Sequence, residues 1–139
     1  MKKKVLAWGT LSLAFLLVCG ALLWWFLPLR VLRDVTDAEL GYIEVFNGST
    51  GKRFRIEDAA ARSQLLAALQ SPTYRREAYV GDRDGFSFSL TFYNGQSEVL
   101  ERLTVNGERA LVRGSFFCSP TEGILPFAYL AELEAVLAD

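Results

Sequence analysis

The stretch Phe86-Ser87-Phe88-Ser89-Leu90-Thr91-Phe92-Tyr93 alternates large apolar and small polar side chains. Successive side chains of an extended strand point to opposite faces, so Phe86, Phe88, Leu90 and Phe92 share one face. A period of two on this scale predicts an antiparallel sheet that is covered on one side and open on the other.

Working outward from it, Asn94-Gly95 and Asn106-Gly107 follow and Asn47-Gly48 precedes. Each pair reads as a hairpin, because asparagine and glycine tolerate the positive φ angles of a type I′ turn and the flanks are rich in β-branched and aromatic residues. Strands are predicted over 41–46, with Ile43 and Val45 inward, and over 52–56, with Phe54 and Ile56 inward. Further strands are predicted over 74–80, 86–93, 98–105 and 109–117, with the turn Gly81-Asp82-Arg83-Asp84-Gly85 after Tyr79-Val80.

A helix is predicted over 58–70: Glu57 and Asp58 suit its positive amino end, Leu65, Leu66 and Leu69 follow at helical spacing, and Ser71-Pro72 ends it. A second begins near Pro126 and presents Phe127, Leu130, Leu133 and Leu137 on one side. Ser119-Pro120-Thr121-Glu122 has capping-box spacing, but Gly123 and Pro126 limit it to a short turn.

The amino terminus is of another kind. Val5 to Leu27 is an uncharged run of 23 residues behind Lys2, Lys3 and Lys4, softened only by Thr10 and Ser12, whose hydroxyls can bond back to carbonyls one turn earlier. As a helix it rises roughly 1.5 Å per residue, enough for the roughly 30 Å hydrocarbon core of a bilayer. Trp8 near one end and Trp24 and Trp25 near the other match the preference of indoles for the two lipid–water boundaries. A cleaved signal peptide ending at Cys19-Gly20-Ala21 would leave Leu22 to Leu27 as an exposed apolar tail; a lipid-modified Cys19 has the same problem, and Val18 before it is bulky. The lysines favour a cytoplasmic amino end, against which Arg30 and Arg33 argue only mildly.

The predicted fold class is therefore α+β: an N-terminal single transmembrane helix, then a two-layer domain whose antiparallel sheet of about six strands, in the order β-β-α-β-β-β-β-α, is covered on one face by two helices. The expected organisation is a cytoplasmic basic stub over 1–4, a transmembrane signal anchor over 5–29, a linker over 30–39 and an extracytoplasmic domain over 40–139, at the cytoplasmic membrane of a bacterium. No motif in it is specific to a family.

Composition narrows the function classes. Residues 30–139 hold 12 basic and 16 acidic side chains, net −4, which disfavours sequence-independent nucleic-acid binding. The chain has no histidine, which removes Ser-His-Asp triads, Cys-His pairs and histidine-built zinc sites. Cys19 in the lipid and Cys118 in the outer domain cannot approach to disulfide distance, and Cys118 after Phe116-Phe117 reads as a buried inert thiol, with an intermolecular or redox role as the alternative. No cofactor is expected.

Four groups of residues are candidates for function. Asp82 and Asp84 on their glycine-flanked turn hold a fragment of a calcium loop, without its distal glutamate and with Arg83 offsetting their charge. Glu101 falls on the inward parity of its strand; a β-bulge at Leu100-Glu101 that re-aims it outward is expected, with arginine pairing or a role as a catalytic acid as alternatives. Lys52, Arg53, Arg55, Arg75 and Arg76 make a basic patch for anionic lipid headgroups or wall polymers if their strands are neighbours, and otherwise are scattered solvated arginines on the open sheet face. Tyr42, Phe46 and Tyr93 fall on the outward parity of their strands and are expected to anchor a partner unless covered.

The leading expectation is a membrane-anchored extracytoplasmic, non-enzymatic binding or accessory module that contacts a protein or envelope component through the open sheet face. The alternatives are a small carboxylate-based envelope hydrolase using Glu101 and a second acid, and a membrane-protein subunit acting through its transmembrane helix, for which Gly9, Gly20 and Ala21 supply no GxxxG face.

Overall fold

In the computed structural model, which describes residues 1–79 and 87–138, a long amino-terminal helix is followed by an α+β domain. The elements are α1 (Lys2–Phe26), β1 (Leu40–Asn47), β2 (Arg53–Ile56), α2 (Ala59–Gln70), β3 (Tyr74–Tyr79), β4 (Phe88–Asn94), β5 (Val99–Val105), β6 (Leu111–Arg113), β7 (Phe116–Pro120) and α3 (Phe127–Leu137). The strands form one antiparallel sheet in the order β2-β1-β4-β5-β6-β7-β3. The sheet has seven strands rather than about six because Gly114, at φ 60°, turns the chain back and splits the single strand expected over 109–117 into the β6–β7 hairpin.

Phe88, Leu90 and Phe92 are buried as their alternation requires, and their cross-strand partners Val45, Ile43, Leu103 and Val105 extend the same apolar face. Leu65, Leu66 and Leu69 of α2 and Leu130 of α3 join that core. Each large apolar side chain so buried contributes about 1.5–3 kcal/mol relative to an exposed one. Asp58 caps α2, its carboxylate accepting from the Ala61 amide at 2.9 Å.

Three local expectations need correction. All three Asn-Gly pairs lie at hairpins, but the loops are longer than a two-residue type I′ turn: Asn47, Asn94 and Asn106 close them by donating from their amides to Lys52, Glu98 and Ala110. The Asn47 and Asn94 side chains accept from amides two residues on, an Asx geometry that favours asparagine in its own right. On α3, Leu130 is buried and Phe127 and Leu133 are half-buried, but Leu137 is exposed and Glu134 is buried. Ser119 and Pro120 belong to β7, not to a cap, and the Ser119 hydroxyl donates to Glu77 at 2.5 Å.

Residues 30–39, expected to serve as a linker, fold onto the domain. Val31 and Leu32 are 0% and 2% exposed, Leu29 and Tyr74 exchange backbone hydrogen bonds at 2.9 and 2.7 Å, and the Gln70 amide donates to the Leu32 and Val35 carbonyls. Val80, the turn Gly81 to Gly85 with its Asp82–Asp84 calcium fragment, and Phe86 lie outside the described residues.

α1 is long and apolar enough to cross a membrane and buries none of its side chains in the protein. The Thr10 hydroxyl donates to the Leu6 and Ala7 carbonyls, so this polar group is satisfied within the helix.

Candidate functional site on the open sheet face

Antiparallel register dictates what stands on the face away from the helices. Tyr42 of β1 lies opposite Tyr93 of β4, and Phe46 of β1 opposite Arg53 of β2, so all four share the open face with Arg55. The Tyr42 and Tyr93 rings stack at 4.7 Å between centroids and 16° between planes. The Arg55 guanidinium sits 4.2 Å above the Tyr42 ring, and that of Arg53 lies 4.6 Å above the Phe46 ring. Aromatic stacking of this kind contributes about 0.5–1.5 kcal/mol and an exposed cation–π contact about 0.5–1 kcal/mol.

Glu44 stands between these rings, opposite Arg55. Its carboxylate accepts from the Tyr93 hydroxyl and so raises the Tyr93 pKa, with burial adding to the shift. The three rings are half-buried rather than fully solvated, and both arginines are exposed. Val99, 45% exposed, pairs with Tyr93 and extends the apolar ground. The result is an aromatic strip with two guanidinium groups and one carboxylate on β1, β2 and β4 at the sheet edge.

The basic patch does not assemble as a whole. β2 and β3 are at opposite edges of the sheet, because α2 carries the chain across the core between them, so Arg53 and Arg55 are separated from Arg75 and Arg76 by the full width of the sheet. Arg75 is exposed and ion-pairs with Glu77 at 3.0 Å. The Glu77 pKa is lowered by the Ser119 hydroxyl and by Arg75. Lys52 sits on the β1–β2 turn beside a cleft lined by Asn47, Thr50, Phe127 and Glu134.

Arg76 pairs with Cys118 on the helix-covered side and turns toward α1. Its Nη1 donates to the Trp24 carbonyl at 2.6 Å and its guanidinium lies 4.0 Å from the Trp24 ring. Trp24 and Trp25 meet Phe116 edge-on at 6.0 and 5.7 Å. The last carbonyls of a helix lack intrahelical partners and carry partial negative charge, so Arg76 acts as a remote cap on α1. Lys2, Lys3 and Lys4 form the exposed first turn of the same helix, and Trp8 is exposed.

The bulge near Glu101 is present, but at Leu100: Glu101 still opposes buried Phe92, while Val99 is the residue turned to the open face. Glu101 thus stays on the helix side, half-buried near the sheet's end, with its Oε2 3.7 Å from Arg113 Nη2. It lines a recess with Arg76, Arg113 and Trp24, and among the described residues there it is the one carboxylate. Cys118 is buried and its thiol pKa is raised, chiefly by burial, with Arg76 and Arg113 opposing. Among the described residues, no group of three or more histidine, cysteine or acidic side chains could hold a metal ion.

Sequence reasoning missed Glu134 and the Arg76–Trp24 contact. An acid at helical spacing from Leu130 was the available signal for Glu134; nothing local marks Arg76 as a helix cap. No family model, no curated protein and no solved structure matches this chain.

Proposed function

We propose that this chain is a membrane-anchored binding module of the bacterial envelope, held by α1 with its amino end in the cytoplasm, that engages a protein or envelope component through Tyr42, Phe46, Tyr93, Arg53 and Arg55. The observation that carries the reading is the stacked Tyr42–Tyr93 pair flanked by two guanidinium groups on the open sheet face. Ordered aromatic and arginine side chains lose little freedom on binding and dominate the energetics of many interfaces. The lack of histidine in the sequence favours binding over catalysis, and Lys2, Lys3 and Lys4 before the apolar run favour the stated orientation.

A photoreactive residue placed at Phe46, with another at the exposed Ala135 of α3 as the comparison, tests the surface in living cells. One reproducible partner is expected from Phe46 alone, lost in Tyr93→Ala. Recovery of no partner, or of the same adducts from both positions, counts against the reading. A reporter fused behind Asp139 that is active only outside the cytoplasm is expected from the orientation.

A further inference from the structure

The recess that holds Glu101 has no part in that reading. It measures about 400 Å³ and is lined by Trp24, Leu29, Arg76, Glu101, Arg113 and Phe116 among others. We propose that it holds the headgroup of an anionic glycerophospholipid, with Arg76 and Arg113 on the phosphate and Glu101 accepting from a headgroup hydroxyl. This rests on the reading of α1 as a membrane anchor.

Position is the first argument. At 1.5 Å per residue, Trp24 lies about 30 Å along α1 from Lys4, one hydrocarbon thickness away, so the recess opens at the outer lipid–water boundary. Chemistry is the second. Among the described residues lining the recess, two guanidinium groups stand against one carboxylate, and the planar guanidinium fork matches phosphate oxygens. The Arg76 bond to the Trp24 carbonyl uses one of the five N–H donors that an arginine carries. Arg113 is 43% exposed on its side chain and its 3.7 Å approach to Glu101 is too long for a hydrogen bond, so its guanidinium keeps donors free for a phosphate while the Glu101 carboxylate faces the headgroup hydroxyl. Trp24, Leu29 and Phe116 give the recess an apolar wall suited to the glycerol and upper acyl carbons.

The test uses the full chain in nanodiscs of phosphatidylcholine alone or mixed with phosphatidylglycerol, followed by native mass spectrometry of the lipids that stay bound. Phosphatidylcholine carries the same phosphate without net charge or a headgroup hydroxyl. Selective retention of phosphatidylglycerol is expected, weakened about tenfold in Arg113→Gln, as the loss of one charge-assisted hydrogen bond implies. It is expected to be unchanged in Arg102→Gln, which removes an exposed arginine from β5. Circular dichroism of both variants establishes that the sheet is retained.

Equal retention of the two lipids by chain that stays in the nanodisc overturns the headgroup site alone. An equal loss in Arg102→Gln overturns it as non-specific charge. Saturable binding of inorganic phosphate in neutral detergent, without any lipid preference, overturns the lipid as its source. Chain that leaves phosphatidylcholine nanodiscs altogether overturns the anchor reading and this site with it.

Discussion

The side-chain amide of Asn47 donates to Oε2 of Glu134 at 2.5 Å, across 87 positions of sequence, and ties the β1–β2 turn to the last helix. Thr50 Oγ1 donates to the other carboxylate oxygen at 2.9 Å, so the turn holds this buried acid by both oxygens with uncharged donors.

Removing the acid strands its donors. Glu134→Ala is expected to lower stability by about 1–3 kcal/mol, since the Asn47 amide is itself buried and is left without its acceptor. Asn47→Ala in the same background is expected to cost less than the two single changes added together. Urea unfolding of the chain in detergent, followed through the sheet signal, measures both; strict additivity would show that the pair is not coupled.

Gly41 sits at the irregularity where β1 shifts register against β4, and a Cβ there would collide with the Asn94 carbonyl oxygen. Backbone has to move to make room. Gly41→Ala is expected to destabilise by about 1–3 kcal/mol, as overpacking does. Gly95→Ala meets nothing within 4 Å and is expected to change stability by less than about 0.5 kcal/mol. Thermal melts of the two variants side by side discriminate a local steric demand from a general intolerance of this hairpin.

Alkaline pH gives a third expectation. Burial, aided by the Cys118 thiolate, raises the Tyr74 pKa above its ordinary 10.0, and burial raises Cys118 above its ordinary 9.0. The folded chain therefore keeps protons that the unfolded chain releases, so stability is full below about pH 9 and falls as pH rises through 9 and then 10. The Tyr74 hydroxyl also donates to the Leu69 carbonyl at 2.7 Å. Tyr74→Phe is expected to cost about 1 kcal/mol at neutral pH and to flatten the decline above pH 10. Urea midpoints across that range measure it, and parallel declines in the two proteins would rule the argument out.

On the open face, the Tyr42–Tyr93 stack predicts a coupling of about 0.5–1.5 kcal/mol in a double-mutant cycle of Tyr42→Leu and Tyr93→Leu. Arg55→Met, which keeps length and loses charge, is expected to cost no more than about 1 kcal/mol. A coupling near zero would mean that the strip is not ordered in solution.

The alternation in β4, the acidic amino end of α2 and the long uncharged run of α1 were legible because each is fixed by neighbours in sequence. The outward parity of Tyr42, Phe46 and Tyr93 followed from the same local rule. The β6–β7 division carried a signal, Gly114, inside a segment that otherwise reads as one strand. Val31 and Leu32 carried one too, as an apolar pair within a segment that its charges made look like a tether.

By itself, then, the amino-acid order determined the kinds of element, the faces they bury and a helix with the length and apolarity to span a bilayer, because side-chain period and backbone preference act within a few residues. Only the tertiary structure decided that β3 crosses to the far edge, parting Arg75 and Arg76 from Arg53 and Arg55, and that Arg76 caps α1. The same holds for Glu134 and its distant turn. Strand order and buried polar pairs arise from contacts between remote segments, and those are selected by the packing of the whole core rather than by any one stretch of chain.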